Sequence, residues 1–246
     1  MIEIKTEKEI ELMRAAGRIL RAVMEETVKA AKVGVKTKDI DSVARKIIED
    51  SGSKPLFLGY RGYPATTCIS INEEIVHGIP SNRTLKNGDI VSIDIGLQKD
   101  GFCADKAVTV EIGNVSPEAK KLVETTRIAL SKAIEKMRVG NRLGDVCSSI
   151  ENYVMKTGYS VVREYTGHGI GRTMHEAPEV TNFGVPGTGA RLQKGMIFAI
   201  EPMVNAGRYK TKVLGDGWTV VTQDGTLSAH FEDTVLITDS DPEILT

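Results

Sequence analysis

The sequence predicts an α/β protein of the α+β kind. Two related halves, each a pair of helices followed by strands, surround an antiparallel sheet. Three observations carry this expectation. Two pairs of segments repeat apolar residues at helical spacing, the stretches after them alternate like strands, and the chain matches itself at a nearly constant offset. At an offset of 106, Arg21, Val33, Gly34, Asp39, Ile40 and Gly52 fall on Arg127, Val139, Gly140, Asp145, Val146 and Gly158. At 107, "GDIVSID" falls on "GMIFAIE", and Asp94 lands on Glu201. At 127, Asp105 lands on Glu232.

The elements follow in order. Thr6 and Glu9 form a capping box, and Ile10, Met13, Leu20, Val23, Met24, Thr27 and Val28 recur at helical spacing, which predicts a helix over about 7–31. "KVGVKTKDI" reads as a turn with Thr37 as the next N-cap, and a second helix runs to Asp50, closed by Gly52. A Gly/Tyr/Pro-rich loop then leads into "TTCISINEEIVHGIP", a strand pair, and "GDIVSIDIG" and "CADKAVTVEIG" are strands. Ser116-Pro117-Glu118 starts a helix that runs to about 138, and another covers about 142–157. Further strands are expected near 159–166, 195–203, 217–222 and 229–238.

The composition is that of a soluble globular chain: 246 residues, 41% hydrophobic and 26% charged. No linker or low-complexity tract interrupts it, so one catalytic domain over 1–246 is expected, with halves of about 1–113 and 114–246. A net charge of −1 offers no basis for nucleic-acid recognition or membrane-surface binding. Cys68, Cys103 and Cys147 are odd in number and lack a CxxC, which argues against a disulfide framework or thiolate zinc site and for a reducing, cytoplasmic location. No apolar run suits a signal peptide or a membrane span.

Chemistry concentrates in the acids inside the strands. Asp94 and Asp105 share a face of the first hairpin whichever turn joins its strands, because side chains alternate with period two. A four-residue turn sets Asp94 opposite Asp105, whereas a tight Asp-Gly turn sets it opposite Ala107. Buried carboxylates this close must share a proton, find cations or hold a metal. Glu201 and Glu232 lie in similarly apolar strands, and His168 sits in the glycine-rich "GHGIG". Four carboxylates and a neutral imidazole balance two divalent cations in charge. The oxygen-rich set favours Mn, Fe or Co, with Zn possible. Two such ions clamp the oxygens of a hydrolytic transition state. His77 and His175, beside glycine- or proline-rich loops, are candidates for substrate binding and oxyanion stabilisation. His230 is assigned no role.

Taken together, "GYRGYPATTCISINEEIVHGIP", "GDIVSIDIG" with Asp105 eleven residues beyond Asp94, "REYTGHGIGRTMHEAP", "IEPMVNAG" and "DGWTVVTQDGTLSAHFE" resemble the type I methionine aminopeptidases over essentially the whole chain. The resemblance implies the pita-bread fold. It implies Asp94, Asp105, His168, Glu201 and Glu232 as metal ligands, with Asp105 and Glu232 bridging and Glu201 as general base for a metal-bridging hydroxide. It implies His77 at the substrate, His175 at the tetrahedral intermediate, and a methionine pocket of Phe57, Tyr60, Tyr63, Cys68, Met174 and Trp218. The reaction implied is removal of the initiator methionine from nascent proteins when the next residue is small. That carries an expectation of transient ribosome proximity, and a monomer is expected. Cys103, Lys106, Ala177 and Asp233 depart from the family's usual residues without touching a ligand. Lys106 and Asp233 correspond in the internal repeat, so an ion pair between them behind the metal site is one reading. A lysine reaching solvent from a strand face is the other. Proline-dependent peptidases share the five ligands, and some relatives on this fold are non-catalytic binding proteins.

Overall fold

The computed structural model describes residues 2–246. The chain begins with α1 (Glu7–Ala30) and α2 (Thr37–Asp50). The strands β1 (Lys54–Pro55), β2 (Thr67–Ile71), β3 (Glu74–Val76), β4 (Ile90–Lys99) and β5 (Phe102–Glu111) follow. A second helix pair is α3 (Pro117–Glu135) and α4 (Leu143–Lys156). After it come β6 (Ser160–Val161), β7 (Gly167–Gly169), β8 (Glu176–Val180), β9 (Ile197–Ile200) and β10 (Met203–Asn205). The last strands are β11 (Thr211–Val213), β12 (Val220–Thr222), β13 (Ser228–His230), β14 (Glu232–Leu236) and β15 (Glu243–Ile244).

The main sheet has nine strands along the path β1-β4-β5-β14-β9-β7-β8, with β2 also on β4 and β15 on β14. Every pairing in it is antiparallel. Helices α1 and α2 bury Leu20, Val23, Ile40 and Ile48 against Ile69, Ile93 and Ile95. Helices α3 and α4 bury Leu122, Leu130, Val146 and Ile150 against Phe198, Ile200 and Val235. The two layers meet where β5 pairs with β14, setting Glu232 opposite Ala107 and Asp233 opposite Lys106. The repeated offsets reappear as repeated backbone: Gly34 and Gly140, Gly52 and Gly158, and Gly88 and Gly195 all take positive φ. Isolated bridges Lys36–Thr84 and Arg142–Arg191 likewise correspond.

The capping box is present: Thr6 Oγ1 accepts from the Glu9 backbone N–H, and Glu9 accepts from the Thr6 N–H at 2.9 Å. Thr37, expected as an N-cap, is instead the first helical residue, and Lys36 is the cap. The Thr37 hydroxyl exchanges hydrogen bonds with the Ser81 backbone, tying α2 to the loop after β3. The strand expected over 159–166 shrinks to β6, because the chain leaves the three-stranded sheet β13-β10-β6 to reach the main sheet at β7. β7 and β8 lie outside every expected strand, since glycine, proline and histidine there mask the alternation.

The first hairpin takes the tight turn. Lys99 pairs with Phe102 around Asp100 and Gly101, at φ 49° and 82°, both in the left-handed region a two-residue turn requires. Asp94 therefore lies opposite Ala107, and Asp105 opposite Gly96. A Cβ at Gly96 would sit 2.8 Å from the Phe57 ring and 3.3 Å from Asp105 Oδ1. The missing side chain lets Phe57 pack beside the carboxylate.

Candidate metal centre

Four strands deliver the acids. Asp94 comes from β4, Asp105 from β5 and Glu232 from the start of β14, while Glu201 follows β9 directly. Asp105 is 3% exposed and Glu232 2%, and among the described residues no lysine or arginine side chain is paired with any of the four. Burial raises all four carboxyls, Asp94 to about 8. Asp105 is raised further by Asp94 and Glu201, Glu201 by Asp94, and Glu232 by Asp105, Glu201 and Asp94. Asp94 Oδ1 and Glu232 Oε1 are buried without a hydrogen-bond partner among the described residues. Clustered, under-partnered carboxylates are costly unless a cation joins them, so the residues fit a divalent metal.

His168 completes the set from β7. Its Nδ1–H donates to the Gly169 carbonyl at 2.9 Å, so Nε2 keeps its lone pair. Nε2 lies 3.9 Å from Asp105 Oδ2 and 3.7 Å from Glu201 Oε1. Burial lowers its pKa to about 4, with His175 adding to the effect, so the ring is neutral at pH 7, as a ligand must be. The flanking glycines serve the backbone: a Cβ at Gly167 would meet the Ala199 carbonyl at 2.4 Å, and one at Gly169 the Ala177 carbonyl at 2.5 Å. They let β7 fit between β8 and β9.

His77 and His175 reach the same cavity. His175 Nδ1 lies 2.9 Å from the Tyr60 hydroxyl, and its ring stands edge-on to His168 at 4.4 Å. Glu176, beside it, accepts from Lys5 Nζ at 2.6 Å and from the Arg172 N–H at 2.8 Å, which fastens this loop to the buried Lys5. His77 takes φ 60° and packs edge-on against Tyr165 and Trp218. Burial lowers it to about 4.

The cavity, about 430 Å³, joins the acids to Phe57, Tyr60, Tyr63, Cys68, Met174 and Trp218. Phe57, Tyr63, Cys68 and Met174 are buried together, and Trp218 packs edge-on to Tyr63 at 5.1 Å. Lys106 pairs with Asp233 across the β5–β14 seam, the ion-pair reading of the two. His230, given no role from the sequence, is 1% exposed and reaches the acids, with Nε2 3.6 Å from Glu201 Oε2. His230 and Glu232 close and open two strands of different sheets, β13 and β14, so no alternation within one strand links them.

A buried, oxygen-rich donor set with an imidazole, opening on a cavity, suits a hydrolytic metal centre. Residues 11–239 match the model of metallopeptidase family M24, and the chain belongs to that family. It is 52% identical over 247 residues to a methionine aminopeptidase of Clostridium acetobutylicum, covering 100% of this chain and 99% of that one. The crystal structure of methionine aminopeptidase from Thermotoga maritima superposes with a TM-score of 0.98 at 46% identity, covering 100% and 99% of the two chains. The prolidase from Pyrococcus horikoshii shares the fold alone, with a TM-score of 0.81 at 24% identity over 63% of its length.

Proposed function

We propose that this chain is a methionyl aminopeptidase that removes the initiator methionine from nascent proteins when the second residue is small. The observation that carries the reading is the continuity of the acid cluster with a sulfur- and aromatic-lined cavity. Thioether sulfur gains favourable contacts with aromatic rings, and Tyr63, Trp218 and Phe57 offer edges and faces while Met174 and Cys68 add polarisable surface.

Asp94, Asp105, His168, Glu201 and Glu232 would hold two divalent cations (Mn, Fe, Co or Zn). When bound, the cations supply charge neutralisation and Lewis acidity that lowers the pKa of water. The chain's residues do the rest. The Glu201 carboxylate accepts a proton from the water that adds to the scissile carbonyl, and returns it to the departing amine. His175, its Nδ1 engaged by Tyr60, presents Nε2 to the oxygen that becomes negative as the carbonyl turns tetrahedral. His77, fixed between Tyr165 and Trp218, contacts the substrate backbone beside the pocket. The reading includes one catalytic domain acting as a monomer in the cytoplasm, near ribosomes. Among the described residues, no helix is long and apolar enough to cross a membrane.

A Met-Ala-Ser peptide assayed beside an X-Pro peptide, with Mn or Co supplied, tests the proposal. Cleavage of the first and not the second is expected. Activity confined to X-Pro would reassign the substrate, and inactivity on both with metal bound would refute an enzyme.

A further inference from the structure

The donor set contains a nitrogen that neither the repeat nor the resemblance supplies. His230 ends β13 and is anchored through its backbone: its N–H donates to Thr109 Oγ1 at 2.9 Å, and the Thr109 hydroxyl donates to its carbonyl at 2.8 Å. The backbone is therefore held in place, yet both ring nitrogens are buried without a hydrogen-bond partner among the described residues. A buried imidazole normally spends at least one nitrogen on a carbonyl or carboxylate, as His168 does.

The surroundings explain the exception. Glu201 lies between two imidazoles, with His168 Nε2 3.7 Å from Oε1 and His230 Nε2 3.6 Å from Oε2. Both separations exceed a hydrogen bond. They suit two atoms that share one ion, since donors ~2.1 Å from a metal at tetrahedral angles are roughly 3.4 Å apart. Glu201, His230 and Glu232 each place a donor atom within 4.8 Å of the other two, and so do Asp105, His168 and Glu232. The two groups share Glu232, and Glu201 meets His168 with one carboxylate oxygen and His230 with the other.

We propose that His230 is a metal-binding residue, donating Nε2 to a divalent cation held with Glu201 and Glu232. The inference rests on the metallopeptidase reading above and extends it. A second imidazole gives the site two nitrogens rather than one, which shifts its preference from hard Mn toward Co, Fe or Zn. It also places a neutral donor beside Glu201 where a carboxylate would add to the crowded negative charge.

Cobalt is the probe. Metal-free protein labelled with ¹⁵N-histidine is titrated with Co(II), and the hyperfine-shifted, exchangeable imidazole N–H signals are counted by NMR. Two such signals are expected, the second vanishing in His230→Gln, or in His230→Asn should the glutamine variant not fold, and persisting in His175→Gln. Calorimetric titration should show Co(II) affinity falling about tenfold or more in the His230 variant while Mn(II) affinity changes far less. One signal in the wild-type protein, or a second signal that survives loss of His230, overturns the assignment of His230 and leaves the metallopeptidase reading intact. Failure of the wild-type protein to bind Co(II) at all overturns both.

Discussion

Removing the metal should invert the pH dependence of stability, and Asp94 shows by how much. In the metal-free fold, burial lifts its carboxyl from 3.8 to about 8, so between those values the folded state holds a proton that the unfolded state has released. For a raised pKa, the contribution to stability is fully present below the unfolded value and is lost as pH rises through the folded one. Four units at ~1.4 kcal/mol each make this loss on the order of 5 kcal/mol by pH 8. Asp105, Glu201 and Glu232 shift in the same direction and add to it. In a domain of this size, 5 kcal/mol corresponds to a Tm change of roughly 10–20 °C. Thermal melts of chelator-stripped protein from pH 5 to 8 should fall steeply. Melts with saturating Mn or Co should be flat or rise, because metal binding displaces those protons. Asp94→Asn should remove about one proton's worth of slope, ~1.4 kcal/mol per pH unit, from the metal-free series alone. A metal-free Tm independent of pH over that range, or an unchanged slope in Asp94→Asn, would show that the buried carboxylates do not hold protons in the metal-free fold.

Other outcomes follow from neighbouring contacts. Glu201→Gln should lower kcat by about 10²–10⁴, read in a peptide assay with metal content measured in parallel. Lys106→Met strands the part-buried Asp233 carboxylate and should cost about 1–3 kcal/mol in urea unfolding, most of it recovered when Asp233→Leu is added. Lys5→Met releases Glu176 and the loop that carries His175, so kcat should drop by roughly tenfold with a smaller change in KM. An unaltered kcat would mean that Lys5 serves stability alone.

Much of the site is legible because metal chemistry demands what cores otherwise reject. A carboxylate between Ile93 and Ile95, or in line with Cys103 and Ala107 on one strand face, stands out against its apolar neighbours. The self-match at Glu201 and Glu232 then doubles the signal. Helices α1, α3 and α4 were legible for a related reason: capping residues and periodic apolar stripes are local, and tertiary contacts did not override them. Thr37 shows the limit. A threonine that can cap a helix can equally bond a distant carbonyl, and Ser81 decides the matter from 44 residues away. His230 shows it again, since an imidazole two residues before an acid reads as ordinary strand until the partner across the cavity is known.

The sequence by itself pointed to the element order, the duplicated halves and the four acids, which are written in local periodicity or in repetition, and to His168 through the glycines that flank it. Only the tertiary structure decided the register of the first hairpin, the Lys106–Asp233 pair, the Lys5 anchor beneath His175 and the place of His230 beside Glu201. The physical reason is common to all four. Register follows from which turn closes a hairpin and what packs over it. Pairing between residues far apart in the chain follows from which sheet edges meet, and neither leaves a pattern within any one segment.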